Sequence, residues 1–229
     1  MRSITPTTRQ KFVAEWFGTF ALVFTGTGAI VANNVSGGAI SHAGIALTFG
    51  LIVLCMIFTV GEVSGAHLNP AVTLALTLSG RFERRLVLPY CSAQVLGAFC
   101  ASLLLRLLFP DQSSLGATQP SGSALQSFIM EAVLTLILMM MVFSLRPEFG
   151  EKRIIAAIAI GALIALEAMF AGPICGASMN PARSLAPAVV SGQLRGLWIY
   201  LTAPVLGAIM AVPLAAILWD SRDQSKQDK

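Results

Sequence analysis

Charge is what this chain has least of. Only 11% of its 229 residues are Asp, Glu, Lys or Arg, where a soluble domain carries roughly 25%. That shortage excludes an ordinary soluble fold. The small net charge of +4 contains no patch suited to nucleic acid. Histidine is nearly absent, and the pair His42 and His67 falls short of a usual zinc ligand set. The four cysteines, Cys55, Cys91, Cys100 and Cys175, lie in or beside apolar segments without metal-ligand spacing. Neither a metal centre nor a disulfide framework is expected, and most of them read as small buried hydrophobes. No Ser-His, Cys-His or His-x-x-x-His catalytic arrangement is visible, so an enzyme would lack its nucleophile and base. No cofactor is expected.

Apolar residues, by contrast, make up 55% of the chain. They run in six long stretches, about 12–31, 43–60, 86–108, 128–145, 154–170 and 197–218, each near the ~20 residues that cross a bilayer. Two shorter stretches, 71–78 and 182–190, reach only about halfway. The expected fold is an all-α membrane protein of six transmembrane helices and two re-entrant half-helices. The first stretch is too long for the apolar core of a signal peptide and counts as a span. The longest polar stretch, 111–127, is rich in Ser, Gly, Gln and Pro and reads as an external loop. Lys and Arg cluster on one side: Arg2, Arg9, Lys11, Arg81, Arg84, Arg85, Arg146, Lys152, Arg153, Arg222, Lys226 and Lys229, against Arg106 and Arg195 on the other. The positive-inside rule then places both termini in the cytoplasm, with the cell membrane as the expected location.

The half-length stretches begin with the same words. Gly65-Ala66-His67-Leu68-Asn69-Pro70-Ala71 is echoed by Gly176-Ala177-Ser178-Met179-Asn180-Pro181-Ala182. Gly50 and Gly161 precede the repeated Asn by the same interval, and Val95-Leu96-Gly97-Ala98 returns as Val205-Leu206-Gly207-Ala208. These glycines suit close helix packing. The chain therefore reads as one domain built from two repeats, 9–110 and 125–220. Three spans per repeat is an odd number, so the second repeat is inverted and the half-helices meet near the midplane. Polar, helix-breaking residues at corresponding places in two such halves point to a permeation site.

Proline suits the first helical turn, and Asn is a favoured N-cap. Two helix N-termini then face each other, each with about half a positive charge. That field repels cations, while each Asn amide offers a donor to a passing oxygen. Proton hopping is opposed by both.

With both Asn-Pro-Ala boxes and the following Arg183, the chain resembles the aquaporins of the major intrinsic protein family, over nearly its whole length. Around Ala171-Gly172-Pro173 through Arg183-Ser184 it is most similar to the nodulin-26-like branch. The resemblance implies a passive channel for water and small neutral solutes, a lipid bilayer around it, and a homotetramer with one pore per subunit. It implies a constriction of Phe49, Ala168, Ala177 and Arg183, and a ladder of pore carbonyls from Gly65, Ala66, His67, Leu68, Gly176, Ala177, Ser178 and Met179. Water-selective members usually have His where this chain has Ala168. Glycerol channels usually have a second aromatic and an Asp after the arginine, where this chain has Ser184. Glycerol, hydrogen peroxide and metalloid hydroxides such as arsenous acid are therefore candidates beside water. A strictly water-selective pore and a secondary transporter on inverted repeats remain the alternatives, although coupling-ion ligands for the latter are not apparent.

Glu15 and Glu131 are single carboxylates within spans. They read as uncoupled core acids, as a proton relay, or, as the inverted repeat favours, as acceptors for backbone N–H groups of the re-entrant loops. Glu167 is expected to find a partner in the second loop, unless a one-residue shift turns it into the constriction in place of Ala168. Phe170 stands as a side chain able to fill the space beside Ala168. Glu62 is expected near the cytoplasmic mouth, and Cys175 on the external approach to the constriction, open to a mercurial.

Overall fold

The computed structural model describes residues 6–145 and 151–219, with side chains of 151–153 excluded. Arg2, Arg146, Arg222, Lys226 and Lys229 of the charge-bias argument lie outside the described residues, as do the side chains of Lys152 and Arg153. Eight α-helices are present among them: α1 Thr8–Val35, α2 Ser41–Ser64, α3 Pro70–Leu78, α4 Val87–Leu108, α5 Ala124–Ser144, α6 Glu151–Cys175, α7 Pro181–Ser191 and α8 Leu197–Trp219. Six of these are long and apolar enough to cross a membrane. The other two, α3 and α7, are the half-helices, and each opens on its proline behind an asparagine cap.

Helix α1 packs on α4 and α2, α5 on α8 and α6, and α2 lies along α6. Half-helix α3 reaches across to α8, and α7 reaches across to α4. Each half thus inserts its short helix against the other half's last span. Glycine makes the closest crossings possible. A Cβ on Gly50 would collide with the Gly161 carbonyl, and one on Gly161 would sit 2.7 Å from the Gly50 carbonyl. A Cβ on Gly97 would strike the carbonyl of Trp16, and one on Gly207 that of Ala132. Those two carbonyls belong to the residues that follow Glu15 and Glu131. The glycine crossings therefore bring α4 and α8 down beside the two buried acids.

Helix α6 runs on past the apolar stretch ending at 170, straight through Pro173 to Cys175. Proline has no N–H for the carbonyl one helical turn earlier, which is that of Met169. His42, near the start of α2, supplies the missing donor: its Nε2 lies 2.7 Å from the Met169 carbonyl oxygen. A carbonyl only accepts, so Nε2 carries the proton. This contact accounts for one of the chain's two histidines.

Candidate permeation site

The loops that lead into α3 and α7 have the same unusual backbone. After Gly65 at φ 88° come Ala66 at 49° and Leu68 at 52°; after Gly176 at 88° come Ala177 at 43° and Met179 at 54°. Non-glycine residues in the left-handed region cost of order 1–3 kcal/mol each and persist only when their surroundings hold them. Two buried carboxylates do so. Glu15 accepts from the backbone N–H of His67 at 2.9 Å and Leu68 at 2.7 Å. Glu131 accepts from Ser178 and Met179, both at 2.8 Å. Acids take the N–H groups, and the loop carbonyls are left for the pore.

Each asparagine is held at both ends of its amide. Asn69 Oδ1 accepts from the N–H of Ala71, and Asn180 Oδ1 from those of Ala182 and Arg183. With the oxygen committed to the helix N-terminus, the NH2 must point away from it. Asn69 Nδ2 donates to the Met179 carbonyl at 2.7 Å, and Asn180 Nδ2 to the Leu68 carbonyl at 2.8 Å. An NH2 has two protons and a carbonyl two lone pairs. One donor on each amide is thus left for a permeant, but Leu68 and Met179 offer half of what an unshared carbonyl would.

Two cavities run in from opposite ends of the bundle. One, of about 540 Å³, extends from Pro6, Lys11 and Glu62 past both asparagines. The other, of about 660 Å³, opens among His42, Ser113, Gln119 and Gln193. Phe49, Ala168, Ala177 and Arg183 line both of them, and no other described residue does. The cavities meet at two methyl groups, an aromatic ring and a guanidinium. Arg183 is 3% exposed, and burial of a lone cation needs compensation. Its guanidinium carbon stands 5.0 Å from the centre of the Phe49 ring, within cation–π range, and Nη1 donates to the Gly116 carbonyl at 2.9 Å. In the carbonyl ladder, Gly176 lines the second cavity and the other members line the first.

Four expectations need correction. Cys175 is fully buried and lines neither cavity. Its thiol lies 3.5 Å from the Ala171 carbonyl and against Glu131, because α6 is still helical there and the chain turns toward the pore only from Gly176. Cys55 and Cys100 are exposed on the outside of the bundle rather than buried. Glu167 has no partner in the second loop: it is fully buried, and neither carboxyl oxygen has a hydrogen-bond partner among the described residues. Ala168, not Glu167, faces the cavities. Phe170 points outward at 54% exposure and fills no space beside Ala168.

Two supporting residues escape a reading by motif. Tyr90 donates to the Ser64 carbonyl at 2.8 Å, and Tyr200 to the Cys175 carbonyl at 2.7 Å. Each tyrosine ties off the last residue of the helix that feeds a re-entrant loop. They are the chain's only two tyrosines, and the interval between them equals that between Gly97 and Gly207. That shared spacing was the available signal. His67 instead packs its ring 4.6 Å from Phe82 and 5.0 Å from Tyr90, with Nδ1 3.1 Å from Thr73 Oγ1.

Six apolar spans, two half-helices capped toward each other and two opposed cavities that share four lining residues define a multi-pass membrane channel. The sequence matches the major intrinsic protein family over residues 2–214, and the chain belongs to that family, one of channels rather than enzymes. It is 45% identical over 201 residues to aquaporin NIP1-3 of Oryza sativa subsp. japonica, covering 87% of this chain and 70% of that protein. It is 44% identical over 201 residues to nodulin-26 of Glycine max, with 87% and 74% covered. The nodulin-26-like resemblance is thereby borne out. Among solved structures, the aquaglyceroporin from Plasmodium falciparum superposes with a TM-score of 0.81 at 26% identity, over 92% of this chain and all of the other.

Proposed function

We propose that this protein is a passive channel for water and small uncharged solutes, closed to ions and protons. The observation that carries the reading is the meeting of two opposed cavities at Phe49, Ala168, Ala177 and Arg183, just beyond a pair of asparagines at helix N-termini. A cation arriving there meets two positive helix ends and a buried guanidinium. Water arriving there is turned by the free amide donors of Asn69 and Asn180, which interrupts its own hydrogen-bond chain. With two methyls in the join, solutes such as glycerol, hydrogen peroxide and arsenous acid fit the reading. A solved aquaglyceroporin with the same fold and nodulin-26 among the relatives support it.

Repeats 9–110 and 125–220 form one domain of inverted halves, each with its own half-helix, glutamate, tyrosine and crossing glycine. Four copies assemble in the plasma membrane, each with its own pore, with both termini in the cytoplasm. The 540 Å³ cavity, bordered by Lys11 and Arg81, then opens to the cytoplasm. Purified protein in liposomes is expected to speed osmotic shrinkage in stopped-flow light scattering while an internal pH dye stays flat. A proton current comparable with the water flux would overturn the reading.

A further inference from the structure

The loop between α4 and α5 (109–123) is built into the second half of the pore rather than laid over it. Leu115 is fully buried at φ 48°. At Gly116, φ 74°, a Cβ would come within 2.7 Å of Thr27 Cβ on α1, so the loop is seated tightly there. A little further on, Thr118 is 5% exposed, and its Oγ1 donates to Ser184 Oγ at 2.8 Å. Ser184 Oγ is 2.5 Å from Ser178 Oγ, and Ser178 Oγ donates to the Asn180 carbonyl at 3.0 Å.

A hydroxyl has one proton, which limits the directions this chain can take. With the Ser178 proton on the Asn180 carbonyl, Ser184 donates to Ser178. Ser184 can then only accept from Thr118. The sequence Thr118, Ser184, Ser178, Asn180 runs one way, and Thr118 is its source.

The first half shows what this replaces. With the repeats aligned on Asn69 and Asn180, Thr73 occupies the position of Ser184, and His67 that of Ser178. There Gln94 Nε2 of α4 donates to the Thr73 hydroxyl at 3.0 Å, beside His67 Nδ1 at 3.1 Å, and Thr73 Oγ1 donates on to the Asn69 carbonyl at 3.0 Å. Moving on from Gln94 by the interval that separates the two tyrosines leads to Pro204 of α8, which has no side-chain donor. The last span of the second half cannot supply this donor, and the loop does so.

The geometry points to Thr118 as a positioning residue for selectivity. From outside the repeat it fixes the Ser184–Ser178 pair under Asn180, while Gly116 of the same loop holds Arg183. The size limit of the pore is then set partly by this loop, which lines the second cavity, and not only by the four residues where the cavities meet. The inference rests on the channel reading above.

The test compares glycerol and water permeabilities of liposomes bearing wild type, Thr118→Val, Thr118→Ser and Ser184→Ala. Valine keeps the branched shape and loses the proton, so the glycerol-to-water ratio is expected to rise threefold or more. Ser184→Ala breaks the same chain at its middle and should shift the ratio likewise, deciding the matter even if Thr118→Val fails to fold. Serine at 118 should restore the wild-type ratio. An unchanged ratio in the folded chain-breaking variants, or both fluxes falling in proportion, overturns the role of Thr118. Wild type that passes no more water than empty liposomes sinks the channel reading instead.

Discussion

His42 and Pro173 are two halves of one local bargain: the proline leaves the Met169 carbonyl without its helical donor, and the histidine 2.7 Å away provides one. A net hydrogen bond contributes about 1 kcal/mol, and each kcal/mol moves the melting of a chain this size by about 2–4 °C. His42→Ala is therefore expected to lower the thermal transition in detergent by a few degrees. Adding Pro173→Ala restores an N–H in register with Met169, so the double variant should recover most of the loss. Additive losses in the two variants, measured by static light scattering on heating, would show that the contact is incidental.

Cys175 occupies the place that Ser64 holds in the first half, counting back from each asparagine. Ser64 Oγ donates to Glu15 at 2.7 Å, and the Cys175 thiol is likewise turned to Glu131 and away from both cavities. A variant with serine at 55, 91 and 100, keeping only Cys175, should hold its water permeability through mercurial treatment. Rapid block of that variant would mean that the thiol reaches the pore after all.

What the sequence made legible was whatever repeats or counts. The paired Asn-Pro-Ala boxes fixed both half-helices, and the resemblance to the aquaporins singled out Phe49, Ala168 and Ala177, which line both cavities. Glu15 and Glu131 were legible because an acid in a span needs donors, and the re-entrant loops were the available supply. Cys175 was misplaced because proximity in sequence to Asn180 says nothing of which way a helical side chain points. The apolar stretch ending at 170 falls short of one more helical turn through Pro173, and the histidine that permits that turn belongs to the other repeat, far away along the chain. Thr118 sits in an aperiodic loop, where neither helical periodicity nor the repeat gives a partner. Only the missing donor at Pro204 marks the vacancy, and that is visible once the Gln94 contact is known.

Glu167 is a cost that the fold bears without return from hydrogen bonding. Both oxygens are buried and without a hydrogen-bond partner among the described residues, and an ionised Glu167 would also be repelled by Glu131. Leaving such a group unsatisfied costs about 1–3 kcal/mol. Glu167→Leu, close in volume and free of polar atoms, is expected to raise the thermal transition by several degrees and leave water permeability unchanged. Glu167→Gln keeps the unpaired polar atoms and should gain little. A lower transition in the leucine variant would reveal a partner for this acid that stabilises the wild type.

The composition of the join sets the last expectation. Ala168 and Ala177 contribute only methyls, so a solute's polar groups find donors on one side, at Arg183, whose own position is fixed by Phe49 and Gly116. A molecule with one polar and one less polar face loses little hydration that Arg183 and the loop carbonyls cannot replace. Imidazole at position 168 changes both terms at once: it occupies the space left by the methyl, and it adds a hydrogen-bonding group on the formerly apolar side. Water is small enough to use both sides, whereas glycerol needs the width and the apolar wall. Ala168→His is expected to keep water permeability within about twofold while cutting glycerol flux by roughly tenfold, a barrier increase of about 1.4 kcal/mol. Phe170, outward-facing at 54% exposure, should not share this effect, and Phe170→Ala serves as the control. If Ala168→His passes glycerol as the wild type does, the narrowest point of the pore lies away from these four residues.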